Sequence, residues 1–128
     1  MEFALGITIF VTLLIGLVDL ARAAYLFNGV SDASRQIARV TSVHSGGVTL
    51  GGSTETANAV AAARGLVPGM TVTSYACIDI AGAAVSAPEC KPGNWVKVSV
   101  KTSFYPILPF LSSLGPFTFT TASSAKIQ

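Results

Sequence analysis

The sequence predicts an α+β fold in which a long N-terminal helix, apolar and then amphipathic, packs on a small antiparallel β-sheet of three or four strands. Three observations carry this. Residues 3–18 (FALGITIFVTLLIGLV) contain no charge and no proline. Beyond Asp19 the helical spacing continues, now with polar residues along one side. The remainder consists of short alternating segments punctuated by glycine and proline. The expected division is a helix over 1–44 and a small α+β head over 45–128, since 128 residues allow one small domain beside the helix but not two.

A helix that is apolar all round must be covered on every side, by lipid or by other helices. At about 1.5 Å per residue, 3–18 covers roughly 24 Å, short of a hydrocarbon core of about 30 Å. Leu20 and Ala21 extend it into a marginal span. A cleaved secretory signal is the rival reading, but no small-residue cleavage site clearly ends the run and the helical pattern passes through it.

In the second half of the helix, Leu26, Val30, Ala33, Ile37 and Val40 recur at steps of four and three and mark one apolar face. Asn28, Ser31, Asp32, Arg35, Gln36 and Arg39 fill the other side, and Asp32 reaches Arg35 and Gln36 one turn ahead for a few tenths of a kcal/mol per pair. The helix is expected to end near His44, where Ser45-Gly46-Gly47 can leave the helical region. Gly6, Gly16 and Gly29 each cost about 1 kcal/mol against alanine in an ordinary helix. They permit close helix–helix approach, weaken the rod locally, or are simply tolerated.

The head reads in order as a Gly/Ser/Thr loop (45–53), then a short alanine-rich helix over 54–64. That helix is capped by Ser53 or Thr54 and closed by Gly65. A Pro68-Gly69 turn follows, then a strand over 71–80. The segment 82–93 holds the Cys90-Lys91-Pro92-Gly93 turn. The strand at 95–104 alternates most clearly, with Val96, Val98 and Val100 facing one way and Lys97, Ser99 and Lys101 the other. Three prolines punctuate 105–116, and 117–124 makes a last strand with Phe117 and Phe119 on one face. Trp95 and Tyr105 are expected at the edges of the core.

Charge and cysteine usage conflict about compartment. Arg22, Arg35 and Arg39 follow the apolar run and nothing basic precedes it, which by the positive-inside rule would leave the head in the cytoplasm. Cys77 and Cys90 straddle a Pro/Gly-rich stretch of a small domain, as a disulfide in an oxidising compartment would; two buried reduced cysteines are the alternative. The two clues agree if a basic leader once preceded Met1 and was removed after insertion.

Enzymatic chemistry finds no foothold. His44 is the only histidine, Asp79 and Glu89 are the only acids after Glu55, and no nucleophile elbow, phosphate loop or metal-spaced cluster occurs. No catalytic, cofactor or metal residue is therefore assigned, and no small-molecule substrate is expected. A net charge of +2 is small, and Lys91, Lys97 and Lys101 read as a solvated strand face rather than a nucleic-acid stripe.

Over nearly its whole length the chain resembles the TadE-like pilins of tight-adherence (Flp-type) systems, a branch of the type IV filament superfamily. The resemblance rests on Glu2-Phe3-Ala4-Leu5 opening the apolar run, Gly16-Leu17-Val18-Asp19 closing it, and Ala33-Ser34-Arg35-Gln36-Ile37-Ala38-Arg39 at the helix end. Leu66-Val67-Pro68, the proline-bounded 105–111 segment and the closing 117–123 strand also fit. No single motif is specific; their order and spacing are. The resemblance implies a pilin-like fold and a structural subunit that polymerises through its helix into an extracellular adhesive pilus. Its implied partners are copies of itself, the membrane before assembly, the inner-membrane assembly machinery and a prepilin peptidase that removes the leader. Glu2, Phe3, Ile7, Phe10, Leu14 and Leu17 are the implied assembly residues, with Glu2 pairing a neighbour's N-terminal ammonium. A lone carboxylate in an apolar core needs such a partner; the alternative leaves Glu2 at the membrane surface. The family carries this glutamate further into the mature chain than position two, so either the numbering starts late or the mature end is unusual. A minor pilin-like assembly initiator or tip adaptor is the second reading, and a signal-anchored ligand-binding domain the third.

Overall fold

A computed structural model describes residues 2–44, 50–85, 90–113 and 115–128, the side chains of 109 and 110 excepted. One helix, α1 (Glu2–Val43), runs 42 residues without a break. Its second half lies across one face of a four-stranded antiparallel sheet: β1 (Thr71–Ile78), β2 (Ala84–Val85), β3 (Trp95–Phe104) and β4 (Phe117–Lys126), in the order β2-β1-β3-β4. A second helix, α2 (Thr54–Leu66), packs beside α1, and a single turn of helix, α3 (Pro109–Ser112), lies between β3 and β4. The expected α+β architecture is therefore present, with four strands.

The core forms where two periodicities meet. Val96, Val98 and Val100 on β3 have no exposed surface, while Trp95, Lys97 and Lys101 between them face solvent. From α1 the facing layer is Val30, Ala33, Ile37 and Ala38. The approach is close enough for the Thr121 hydroxyl on β4 to donate to the carbonyl of Val30 at 3.2 Å. At the lower end of the sheet Phe119 meets Phe27 edge-on at 6.2 Å and Phe104 at 6.1 Å, which orients the phenylalanine face expected of the last strand.

Hydroxyl groups join α1 to α2. Ser53, the N-cap, accepts from the Thr56 amide at 3.1 Å and donates to the Thr56 hydroxyl at 2.8 Å. The Thr56 hydroxyl in turn lies 3.3 Å from that of Thr41 on α1, and both threonines are fully buried. The chain satisfies buried polar atoms that would otherwise each cost about 1–3 kcal/mol.

Several boundaries differ from expectation for identifiable reasons. The α2 helix does not close at Gly65 but runs on to Leu66, with Val67 as an extended cap. Val67 is held against α1, its Cγ2 lying 2.8 Å from where a Cβ on Gly29 would stand. Gly29 is thus the glycine of close approach. Strand β1 stops two residues early because Asp79 turns the chain, its carboxylate accepting from the Ala83 amide at 2.8 Å. That turn creates the two-residue β2 inside the 82–93 segment. Strand β4 continues to Lys126 because the Ile127 amide bonds the carbonyl of Asn94 at 2.8 Å, pinning its end beside the start of β3. Trp95 and Tyr105 are not core edges; both lie exposed. The expected helix stop at Ser45-Gly46-Gly47, part of the 45–53 loop and residues 86–89 of the linker fall outside the described residues.

Gly29 and Gly65 give opposite expectations for the same substitution. Nothing lies within 4 Å of a Cβ built on Gly65, so Gly65→Ala should stabilise the head by up to about 1 kcal/mol. Gly29→Ala must displace the stiff Val67 side chain and should lower stability instead. Thermal unfolding of the two variants in detergent, followed at the β-sheet signal, should move in opposite directions.

Candidate functional site

The feature that calls for a function is the uncovered half of α1. Fifteen of the residues 3–18 are exposed and Gly16 is half-buried; none is buried. Phe3 is 81% exposed, and Ile7, Phe10, Leu14 and Leu17 are likewise uncovered. Glu2 is exposed one residue before them. The assembly residues implied by the sequence thus all lie on this bare rod and form one continuous surface. The rod presents almost no polarity. The Thr8 hydroxyl donates to the carbonyl of Ala4 and that of Thr12 to the carbonyl of Thr8, both at 2.8 Å, so each hydroxyl is satisfied within its own helix. An 18-residue window of α1 reaches a mean hydropathy of 2.4, and by length and composition the helix can cross a membrane.

The rod ends at a side chain that sequence reasoning did not single out. Asp19 is only 3% exposed. One carboxylate oxygen accepts from the backbone amides of Ile107 and Leu108 at 2.9 and 3.0 Å, and the other faces the Arg22 guanidinium at 3.2 Å. Arg22 in turn lies 5.5 Å above the Phe104 ring, a cation–π contact. The segment after β3 is therefore clasped to α1, with Leu108 against Gly16. We refer to residues 105–108 as the collar. A signal for Asp19 was present: counting back seven residues from Leu26 places it on the same helical stripe as Ala23, Leu26 and Val30. An acid at a core register position requires a buried partner.

Elsewhere the head is tied together covalently. Cys77 and Cys90 form a disulfide with their Cα atoms 5.8 Å apart. Closing a loop of this length contributes about 3 kcal/mol in the chain-entropy description. His44 stands exposed at the helix end, its Nδ1 3.2 Å from the Val40 carbonyl. Lys91, Lys97 and Lys101 are exposed. The Asp32–Arg35 pair is long, at 3.9 Å, and solvated, so it contributes little. Among the described residues no group of three or more His, Cys, Asp or Glu is placed to hold a metal ion.

The Asp19 clasp makes a definite prediction. Asp19→Ala leaves the Ile107 and Leu108 amides without their acceptor and should cost about 3 kcal/mol. Amide exchange at 107 and 108 should accelerate while the β3 amides remain protected. Unchanged exchange at both positions would show that the collar is held by apolar contact alone.

No curated protein and no solved structure matches the chain. The model of the TadE-like protein family matches residues 1–39, and this family is a pilus component rather than an enzyme family. The match ends within α1, so it spans both the bare rod and the first part of the docked half. Over that helix the chain is similar to the TadE-like family, which is consistent with a TadE-like pilin of the Tad system.

Proposed function

We propose that this chain is a structural pilin subunit. It is anchored in the cytoplasmic membrane by the bare half of α1 before assembly and packed through the same surface into an extracellular Tad-type pilus afterwards. The observation that supports the reading most directly is the absence of any buried residue over 3–18. An apolar surface of this extent does not persist in water and must be covered. The head touches this stretch only where Leu108 meets Gly16 and leaves the rest of it bare. Copies of the same helix can cover it, and before assembly lipid can. Copies of the chain, the inner-membrane assembly machinery and a prepilin peptidase are the partners this reading entails, with adhesion as the role of the finished filament. Residues 1–44 would serve as anchor and filament core, and 45–128 as the displayed head.

Within the rod, Phe3, Ile7, Phe10, Leu14 and Leu17 supply contact and Glu2 supplies the one charge. In a filament core that charge pairs with the N-terminal ammonium of a neighbour. Whether the chain is the main subunit or a minor initiator is decided by abundance: a main subunit dominates the material sheared from cell surfaces, and a minor one is scarce there.

Two substitutions test the reading. Leu14→Asp should abolish filaments while the detergent-solubilised head unfolds at its normal temperature; normal filaments would remove the helix-packed model. Glu2→Gln keeps the size of the side chain and leaves membrane insertion intact. Its cost in assembly should be about 3 kcal/mol per subunit if the carboxylate is buried and paired, against at most about 1 kcal/mol at an exposed site. The ratio of sheared to membrane-retained subunit reports the difference, and an unchanged ratio would place Glu2 at the membrane surface.

A further inference from the structure

The apolar run is too short for the bilayer that must hold it, and the structure shows how the deficit is made up. Residues 3–18 rise about 24 Å, whereas a hydrocarbon core of about 30 Å needs about 20 residues of helix. The next four residues, Asp19 to Arg22, would supply the missing 6 Å or so, but two of them are charged. In the folded chain Asp19 is buried, bonded to two backbone amides and faced by Arg22. Arg22 is paired with Asp19, lies over Phe104, and keeps about half its side chain accessible. The surface of this turn is therefore Leu20, 67% exposed, Ala21, the half-exposed Arg22, and the Ile107 side chain, 60% exposed, from the collar that covers Asp19. Tyr25 on α1 and Tyr105 on the collar stand exposed just beyond, where amphipathic rings favour the headgroup level.

We propose that the collar at residues 105–108 inserts into the boundary between hydrocarbon and headgroups and completes the membrane span, with a phospholipid bilayer as its partner. Continuity with the bare rod supports this choice: Leu108 packs on Gly16 within the apolar run itself, so a bilayer that covers residue 18 on all sides meets the collar. The Asp19 clasp then has a purpose beyond the fold of the head, since it hides a carboxylate from lipid with an apolar loop. Arg22 turns back onto the same carboxylate, at 3.2 Å, and so answers its charge at the depth of the collar. The proposal rests on the reading that α1 crosses the membrane before assembly.

The test uses the full chain reconstituted into phosphatidylcholine vesicles whose acyl chains carry bromine either near the glycerol or near the chain end. Bromine quenches tryptophan emission at its own depth. Trp95, at the opposite end of β3 and roughly 30 Å along the strand from Phe104, reports the aqueous head in the native chain. In a Trp95→Phe background, Ile107→Trp and Tyr105→Trp report the collar, and Leu14→Trp reports the rod. The expected result is strong loss of emission for Leu14→Trp with deep bromine, and for both collar variants with shallow bromine, with Trp95 unaffected. Quenching of Leu14→Trp with both collar variants behaving like Trp95 would overturn the collar's insertion while leaving the span intact. An unquenched Leu14→Trp would overturn the span and the proposal together. Adding Asp19→Ala to Ile107→Trp should shift the collar's quenching depth, because the loop is no longer clasped at a fixed height on α1.

Discussion

A carboxylate with almost no exposed surface must have its charge answered, and at Asp19 it is answered from three directions: two backbone amides of the collar and one guanidinium of its own helix. Much else depends on that arrangement. It sets where α1 stops being bare and where the head begins to cover it. It also fixes register, since sliding the helix by one turn would part the carboxylate from the collar amides and leave both without a partner. Buried charges of this kind add little net stability over a well-packed apolar pair, but they make the wrong alignment costly. Two further fixtures act on the same helix higher up: Val67 seated against Gly29, and the hydroxyl pair of Thr41 and Thr56. Three fixed points along about 22 residues leave the docked half of α1 no freedom to shift against the head.

Much of this was legible in the sequence because it is periodic. Strand β3 was readable from Val96, Val98 and Val100 alone, since period-two alternation directly encodes one buried face. The stripe of Leu26, Val30, Ala33 and Ile37 identified the docked face of α1 in the same way. The disulfide was the favoured reading of two cysteines astride a Pro/Gly-rich stretch in a small domain, and it is present. What escaped shares a different property. The partners of Asp19 are backbone amides 88 and 89 residues away, and backbone groups leave no mark in a sequence. An acid at the end of an apolar run reads as the start of a solvated surface unless its place on the core stripe is noticed. The end of α2 was missed for a related reason: Gly65 has the chemistry of a terminator, but Val67 docking on Gly29 decides where the helix stops. A two-residue strand such as β2 has no period to detect.

The bare half of α1 raises a thermodynamic question that bears on the proposed assembly. Lipid tails are as apolar as leucine, so moving the rod from bilayer to filament yields no net hydrophobic gain. The drive must come from packing and from polar groups that find better partners in the filament than in the membrane. The rod offers very few such groups. Thr8 and Thr12 are already satisfied inside the helix, which removes them from the account, and Asp19 is spent on the collar. Glu2 is then the one polar side chain on the rod free to distinguish the two environments. A surface this uniform could pack in many registers, and in the proposed filament the clasp at Asp19 would pass to the rod any alignment set by the heads. In the proposed filament the rod would supply contact area and Glu2 a preference for the filament over the bilayer, while the clasp would tie the register of the rod to the head.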